Sequence, residues 1–538
     1  MLYSEKKPGG CGQAFAQEIN MPKRYALINA NVISMDKNGR RWDAVAVKDD
    51  SIYRLGLEAG VQELVDEGWP VYDMGGQSIL PGFIDCHSHL EYTGAIAACL
   101  DGRHVTSIEE IIGEIARAAE QIPKGQRVIL AGVKETDLAE GRGPNRWELD
   151  RATLKHPVIV LEYTWHQMFF NSLALEQLNI CPNIAGVDVE AGTMTGVLRD
   201  PIAADISTNL LLDLPEKKLS QGIIQAAWFA LAKGVTTIHS MQGGKKRCGG
   251  TERLRNLASQ LPVHLLLWEQ SADISEVLRL QLPRFGGCGD LQADGEVGSY
   301  TAALLEPYSD RCHCRGLLNY PQEYWDRLLT TATENQLQFC AHAEGDAGIE
   351  AVLSAMEKAQ EQSGRSGLRH RIEHLELPTM QQLQRMAEAG IIASVQPAFM
   401  EMEPKELTAF HAMYGERIAR LNPFRSIRQC GVMLAGGSDS PVTEYDPVNG
   451  IHCVLNHPIK QQRLPLREAL KMFTINAAYS GFEEERKGSI EAGKQADMVV
   501  LSVDPYRVPP DRFRDLVQVR QVFVAGKRYL SMMSGRDC

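Results

Sequence analysis

Two histidines, His87 and His89, close an apolar run that reads Leu80-Pro-Gly-Phe-Ile-Asp-Cys-His-Ser-His-Leu90. In an extended strand residues i and i+2 face the same side, so both imidazoles enter one space and form a clamp for a divalent metal. Three further candidates each end a strand-like run: His342 in QFCAHAEGD, His374 in RHRIEHLEL and Asp439 in MLAGGSDSP. A metal held by such a set lowers the pKa of a bound water to about 7 and polarises a carbonyl, while a nearby carboxylate carries protons to the leaving nitrogen. The expected chemistry is hydrolysis of a C–N bond, with Asp439 as general base and then acid and His374 as ligand and catalytic group. The alternative is a one-metal aminohydrolase acting on a cyclic amidine or nucleobase-like ring, in which His374 polarises the substrate. A non-catalytic scaffold of the same fold would be expected to have lost these ligands, and here all five positions are filled.

Residues this far apart in sequence meet only if the fold brings strand ends together. Apolar runs followed by helical patterns recur through the interior, the signature of βα units and a parallel sheet. Eight runs read as strands: Ser78 to Cys86, Val235 to His239, Val263 to Trp268, Gly289 to Ala293, Leu337 to His342, Arg369 to His374, Ile391 to Gln396 and Val432 to Ala435. His342 and His374 are 32 residues apart and Asp439 lies 65 further on. With about 31 residues per βα unit in a barrel of eight, these intervals are one unit and two. That spacing fits strands five, six and eight of a (β/α)8 TIM barrel, whose catalytic groups gather at the C-terminal strand ends. His239, ending the second run, is a candidate support for the ligands.

The interval from His89 to Gly234 is far longer than one βα unit, so an inserted α/β subdomain is expected at about 96–215, with strands of its own at Arg127 to Val133 and Val158 to Tyr163. Both ends of the chain are β-rich, at Tyr25 to Met35, Asp43 to Leu55, Gly488 to Leu501 and Val517 to Tyr529, which suggests one composite β-sandwich. The expected organisation is a loose tail at 1–22, sandwich at 23–79, barrel at 80–480 and sandwich again at 481–538.

With 538 residues, 44% hydrophobic and 23% charged, the chain can bury a large core. Its formal net charge of −12 argues against a nucleic-acid partner, because counterion-release binding needs clustered Lys and Arg. No run approaches the ~20 apolar residues of a membrane span and no signal peptide is evident, so a cytoplasmic protein acting on a small molecule is expected. Twelve cysteines without Cys-x-x-Cys spacing read as reduced thiols. A homodimer is the default assembly, since closed two-fold symmetry is commonest.

Together these segments resemble the amidohydrolase superfamily, in the branch that includes N-substituted formamide deformylase. The resemblance spans Asn29 to Lys527 and is carried by LPGFIDCHSHL at 80–90, HQMFFNSLAL at 166–175, TGVLRD at 195–200, GVTTIHSM at 234–241 and ADGEVGSYTAALLEPYSD at 293–310. It continues in AHAEGDAGI at 341–349, RHRIEHLEL at 369–377, ASVQPAF at 393–399 and AGGSDSPV at 435–442. It implies a distorted barrel flanked by a β-sandwich from both termini, with His87, His89, His342 and His374 as metal ligands and Asp439 both ligating and moving protons. It also implies that His166, Asn171, Asp294, Thr301 and Tyr308 line the substrate site. Where relatives carry a lysine on the fourth strand, in a Lys-x-x-x-Asp-Gly pattern that can be carboxylated to bridge two metals, this chain has Asp290. One zinc is therefore expected, two being the alternative, with Asp290 a further ligand candidate. Relatives also tend to carry Glu where this chain has Asp200.

Overall fold

A computed structural model describes residues 16–532, other than 164–166, 200, 201, 204, 205, 207–209, 212, 244–248 and 403. The polypeptide divides into two units, one made of Met1–Leu90 with Ala227–Cys538 and the other of Glu91–Ala226.

In the first unit eight parallel strands follow one another around a barrel: Phe83–Ser88, Val235–Gln242, His264–Glu269, Arg284–Gln292, Gln338–Ala343, Arg371–His374, Ile392–Val395 and Leu434–Gly436. They are called here the first to eighth strands. The seam between the first and eighth is closed just beyond the strand ends, where Ser88 bridges Ser440 in parallel. There the Asp439 N–H donates to the His87 carbonyl at 2.8 Å, and the His89 N–H to the Ser440 carbonyl at 2.8 Å. Parallel strands are covered on both faces and should read as nearly unbroken apolar runs. Accordingly every residue of the first, second, fifth, sixth and seventh strands is buried.

Two boundaries differ from expectation. The run Ser78 to Cys86 is two strands, because Pro81 has no N–H with which to extend a ladder. Ser78–Pro81 pairs antiparallel with Met498–Leu501, and the chain re-enters the barrel at Phe83. The fourth strand begins five residues earlier than Gly289, at Arg284, and is bent in its middle.

The remaining strands of this unit form a seven-stranded sheet drawn from both ends of the chain and a four-stranded sheet drawn from residues 24–73. Tyr25, Leu27, Val45, Val47 and Ile52 from one meet Val32, Ile79, Met498, Val500 and Phe523 from the other in a single apolar core. Ala16–Ile19, expected within a loose tail, is an edge strand paired antiparallel with Lys527–Ser531. Pairing supplies the backbone hydrogen bonds that such a segment would otherwise take from water.

The second unit holds a six-stranded mixed sheet with Val158–Glu162 and Gln167–Phe170 at its centre and Val128–Val133 beside Val158–Glu162. Helix Ile108–Ala119 starts where Ser107 accepts a hydrogen bond from the Glu110 N–H. Its Ile108, Ile111, Ile112 and Ile115 fall on one face at helical spacing and join the core with Leu130, Val160 and Phe169. No helix among the described residues is long and apolar enough to cross a membrane.

Candidate metal centre

His87 is the penultimate residue of the first strand and His89 lies just past its end; His342 is in the fifth strand and His374 ends the sixth. Asp439 follows the eighth strand by three residues. The barrel brings all five together. Asp439 Oδ1 is 3.1 Å from His87 Nε2 and 3.0 Å from His89 Nε2. The His87 and His374 rings are 5.0 Å apart, and those of His342 and His374 4.5 Å. His374 and Asp439 both adopt positive φ, 71° and 57°. Non-glycine residues held in that region mark places where the surroundings dictate the backbone.

Each imidazole is fixed by a partner behind it. His87 Nδ1–H donates to Glu373 Oε2 at 2.5 Å, His89 Nδ1–H to the Met241 carbonyl at 3.0 Å and His374 Nδ1–H to Gln396 Oε1 at 2.7 Å. These bonds set the tautomers so that Nε2 faces the centre with its lone pair. His342 is held the other way round, its Nε2–H donating to the Gly295 carbonyl at 3.1 Å, which leaves Nδ1 as its ligand atom. Glu373 is in turn gripped by Arg371, whose Nε and Nη2 donate to its two oxygens at 2.8 Å each. The same guanidinium donates to the Cys86 carbonyl and Ser394 Oγ, and to His239 Nδ1 at 3.2 Å, and it lies 4.6 Å from the Trp268 ring centre. His239 therefore supports the ligands through Arg371, and burial together with that guanidinium holds its pKa well below the ordinary value.

Burial pushes the carboxyls of Glu373 and Asp439 upward, but neighbouring positive charge outweighs it. Arg371 and His87 hold Glu373 far below the usual carboxylate range, and His87 and His89 do the same for Asp439. Burial likewise pushes the imidazoles down, yet Asp439 raises His87 well above its ordinary value and brings His89 to about 9. His342 rises to about 10 through Cys288 and Glu344.

The residues fit a divalent metal. His87 Nε2 and Asp439 Oδ1 are buried without a hydrogen-bond partner although 3.1 Å apart. Such orphaned lone pairs are expensive unless something electropositive satisfies both. Ligand atoms of His87, His374 and Asp439 lie within 4.8 Å of one another, as do those of two further triads, His87–His89–Cys288 and Cys288–His342–His374.

Cys288 was not foreseen. A paired glycine inside a strand is the signal that could have found it, since it marks a bulge. Gly286 and Gly287 take φ of 133° and 123°, and a Cβ on Gly286 would meet the Cys340 carbonyl oxygen at 2.1 Å. Just beyond them the pairing slips: Gly287 faces Ala341, yet the next pair is Gln292 with His342. The arch from Cys288 to Leu291 is pinned where the Cys288 N–H donates to Gln270 Oε1 at 2.9 Å. Bulges of this kind re-aim side chains, and here Sγ comes 3.8 Å from His374 Nε2. Burial raises the thiol's pKa, but the imidazoles of His342, His374, His87 and His89 bring it well below the ordinary value. Asp290 sits in the same arch, its side chain outside the described residues.

Four of the expected substrate residues hold backbone groups. Asp294 is buried and accepts from the N–H groups of Ala303, Glu344 and Gly345 at 2.8, 3.0 and 2.8 Å. Thr301 Oγ1 accepts from the Glu296 N–H at 3.0 Å, and the Tyr308 hydroxyl donates to the Ala302 carbonyl at 2.8 Å. All three organise the loop after the fourth strand. Asn171 caps helix Ser172–Gln177, accepting from the Ala174 and Val158 N–H groups and donating to the carbonyls of Thr153 and His156. His166 and Asp200 lie outside the described residues.

Known proteins are similar to this chain over most of its length. The chain is 28% identical over 530 residues to the putative amidohydrolase YtcJ of Bacillus subtilis, covering 92% of this chain and 97% of that protein. It is 26% identical over 532 residues to the N-substituted formamide deformylase of Arthrobacter pascens, covering 93% and 97%. An uncharacterized metal-dependent hydrolase from Pyrococcus furiosus superposes with a TM-score of 0.76 at 24% identity, over 90% of this chain and all of that one, and so shares the fold. The model of the amidohydrolase family matches residues 70–529. The chain belongs to the amidohydrolase family and is a hydrolase acting on carbon–nitrogen bonds.

Proposed function

We propose that this hydrolase cleaves a non-peptide C–N bond of the amide or N-formyl type, using a zinc centre of one or two ions held by His87, His89, His342, His374 and Asp439. The observation that carries the reading is the position of Asp439 Oδ1, within 3.1 Å of one first-strand imidazole and 3.0 Å of the other, at a mouth where His342 and His374 also converge. The similarity to N-substituted formamide deformylase supports the bond type.

A metal at this centre supplies a Lewis acid for the carbonyl oxygen and makes water ionisable near neutral pH. The protein supplies the rest. Asp439, whose Oδ1 sits between His87 Nε2 and His89 Nε2, takes the proton of the attacking water and returns it to the leaving nitrogen. The amine departs neutral, and the acid product carries the water oxygen and its second proton, which passes to solvent as the carboxylate or formate leaves. Glu373, Met241, Gln396 and Gly295 fix the four imidazoles before substrate arrives, so little reorganisation is needed in the transition state.

The test is to purify the chain without chelator, measure metal by elemental analysis and screen N-formyl amines, N-acyl amino acids and nucleobases. Release of formate or acid with free amine is the expected result. Ammonia released from ring substrates alone would replace this reading with the aminohydrolase one.

A further inference from the structure

Among the described residues Cys288 is the one side chain with a ligand atom close both to the first-strand pair, His87 and His89, and to the pair His342 and His374. We infer that the Cys288 thiolate is a metal ligand and bridges two metal ions, one on each histidine pair. The inference rests on the metal centre proposed above.

Three observations carry it. The first is distance. With Zn–S of about 2.3 Å and Zn–N of about 2.1 Å, a tetrahedral zinc separates its sulfur and nitrogen ligands by roughly 3.6 Å; Cys288 Sγ and His374 Nε2 stand 3.8 Å apart. The second is construction. Sγ reaches the centre only because the fourth strand is bent at Gly286 and Gly287 and the arch is pinned by Gln270, so the approach is built into the backbone. Cys288 is a free thiol and partly buried, and no disulfide competes for its sulfur. The third is charge. Four neutral imidazoles and one carboxylate leave a pair of divalent ions poorly balanced. A thiolate adds an anionic ligand of the softness that zinc accepts, with lone pairs enough for two ions. The thiol proton leaves to solvent as sulfur binds, so the exchange balances.

Cobalt(II) is a suitable probe, because a thiolate bound to it absorbs in the near ultraviolet and imidazoles and carboxylates do not. The full-length protein and Cys288→Ser are each loaded with cobalt(II), and metal per chain and the near-ultraviolet spectrum are recorded. The parent is expected to hold about two ions per chain and to show the band, and Cys288→Ser to lose the band and at least one ion. A parent spectrum without the band, or a variant that keeps both band and metal, overturns the inference. A parent that binds no cobalt overturns the metal centre as well. Should Cys288→Ser fail to fold, alkylation of the parent decides. The Cys288 peptide, followed by mass spectrometry, should resist iodoacetamide with metal bound and react after chelation; equal labelling in the two states overturns the bridge.

Discussion

Glu373 Oε2 lies 2.5 Å from His87 Nδ1 with both side chains fully buried, and Arg371 grips the same carboxylate from behind. This chain of contacts runs from Trp268 through a guanidinium and a carboxylate to the ring expected to hold metal. Glu373→Gln should weaken metal binding about 10- to 100-fold by releasing the ring orientation. It should also destabilise the fold by about 3–5 kcal/mol, because Arg371 keeps its charge in the core without a counterion. Competition with a chromophoric chelator checks the first number and urea unfolding of the metal-free protein the second.

Asp439→Asn keeps the shape of the side chain and removes its basicity. The kcat should fall by about 10²–10⁴ with little change in KM. His374→Ala should abolish turnover and reduce bound metal together. Normal metal content in that variant would instead mean that His374 polarises substrate without ligating.

Asp497 ties the sandwich to the barrel. It accepts from the Ala525 N–H at 2.7 Å, and Lys487 Nζ and His264 Nε2 lie 3.3 Å from its oxygens. Burial raises its pKa, but His264 and Lys487 win and hold it below the ordinary carboxylate value. A depressed native pKa gives stability that is present above the unfolded value of about 3.9 and lost as pH falls through the native one. Asp497→Asn should therefore lower the urea midpoint at pH 7. The gap between variant and parent should narrow as the midpoints are followed downward from about pH 4.

Asn171 has its amide oxygen and nitrogen each committed to two backbone groups of the second unit. Asn171→Ala should cost about 2 kcal/mol through loss of the cap and the freed carbonyls. Below the melting transition kcat/KM should be unchanged. A selective rise in KM without loss of stability would assign Asn171 to the substrate site.

The sequence by itself determined the eight parallel strands, the two-ended sandwich sheets and the positions of His87, His89, His342, His374 and Asp439 at strand ends. These are local patterns: an apolar run stops, a polar ligand follows, and barrel geometry makes every such stop a neighbour of the others. The supports were not legible in this way. Glu373 and Arg371 act on His87 from the sixth strand to the first, which do not pair, and Gln396 reaches His374 from the end of the seventh; nothing in their own segments marks them as partners of His87 and His374. The clearest case is the fourth strand. Counting along the lysine pattern led to Asp290, whose side chain lies outside the described residues; Cys288, two positions earlier, is brought beside the histidines by the bend at Gly286 and Gly287, which breaks register with the fifth strand. Alternation along a strand can be read from sequence; an arch that interrupts it depends on which backbone lies across the ladder, and only the tertiary structure decides that.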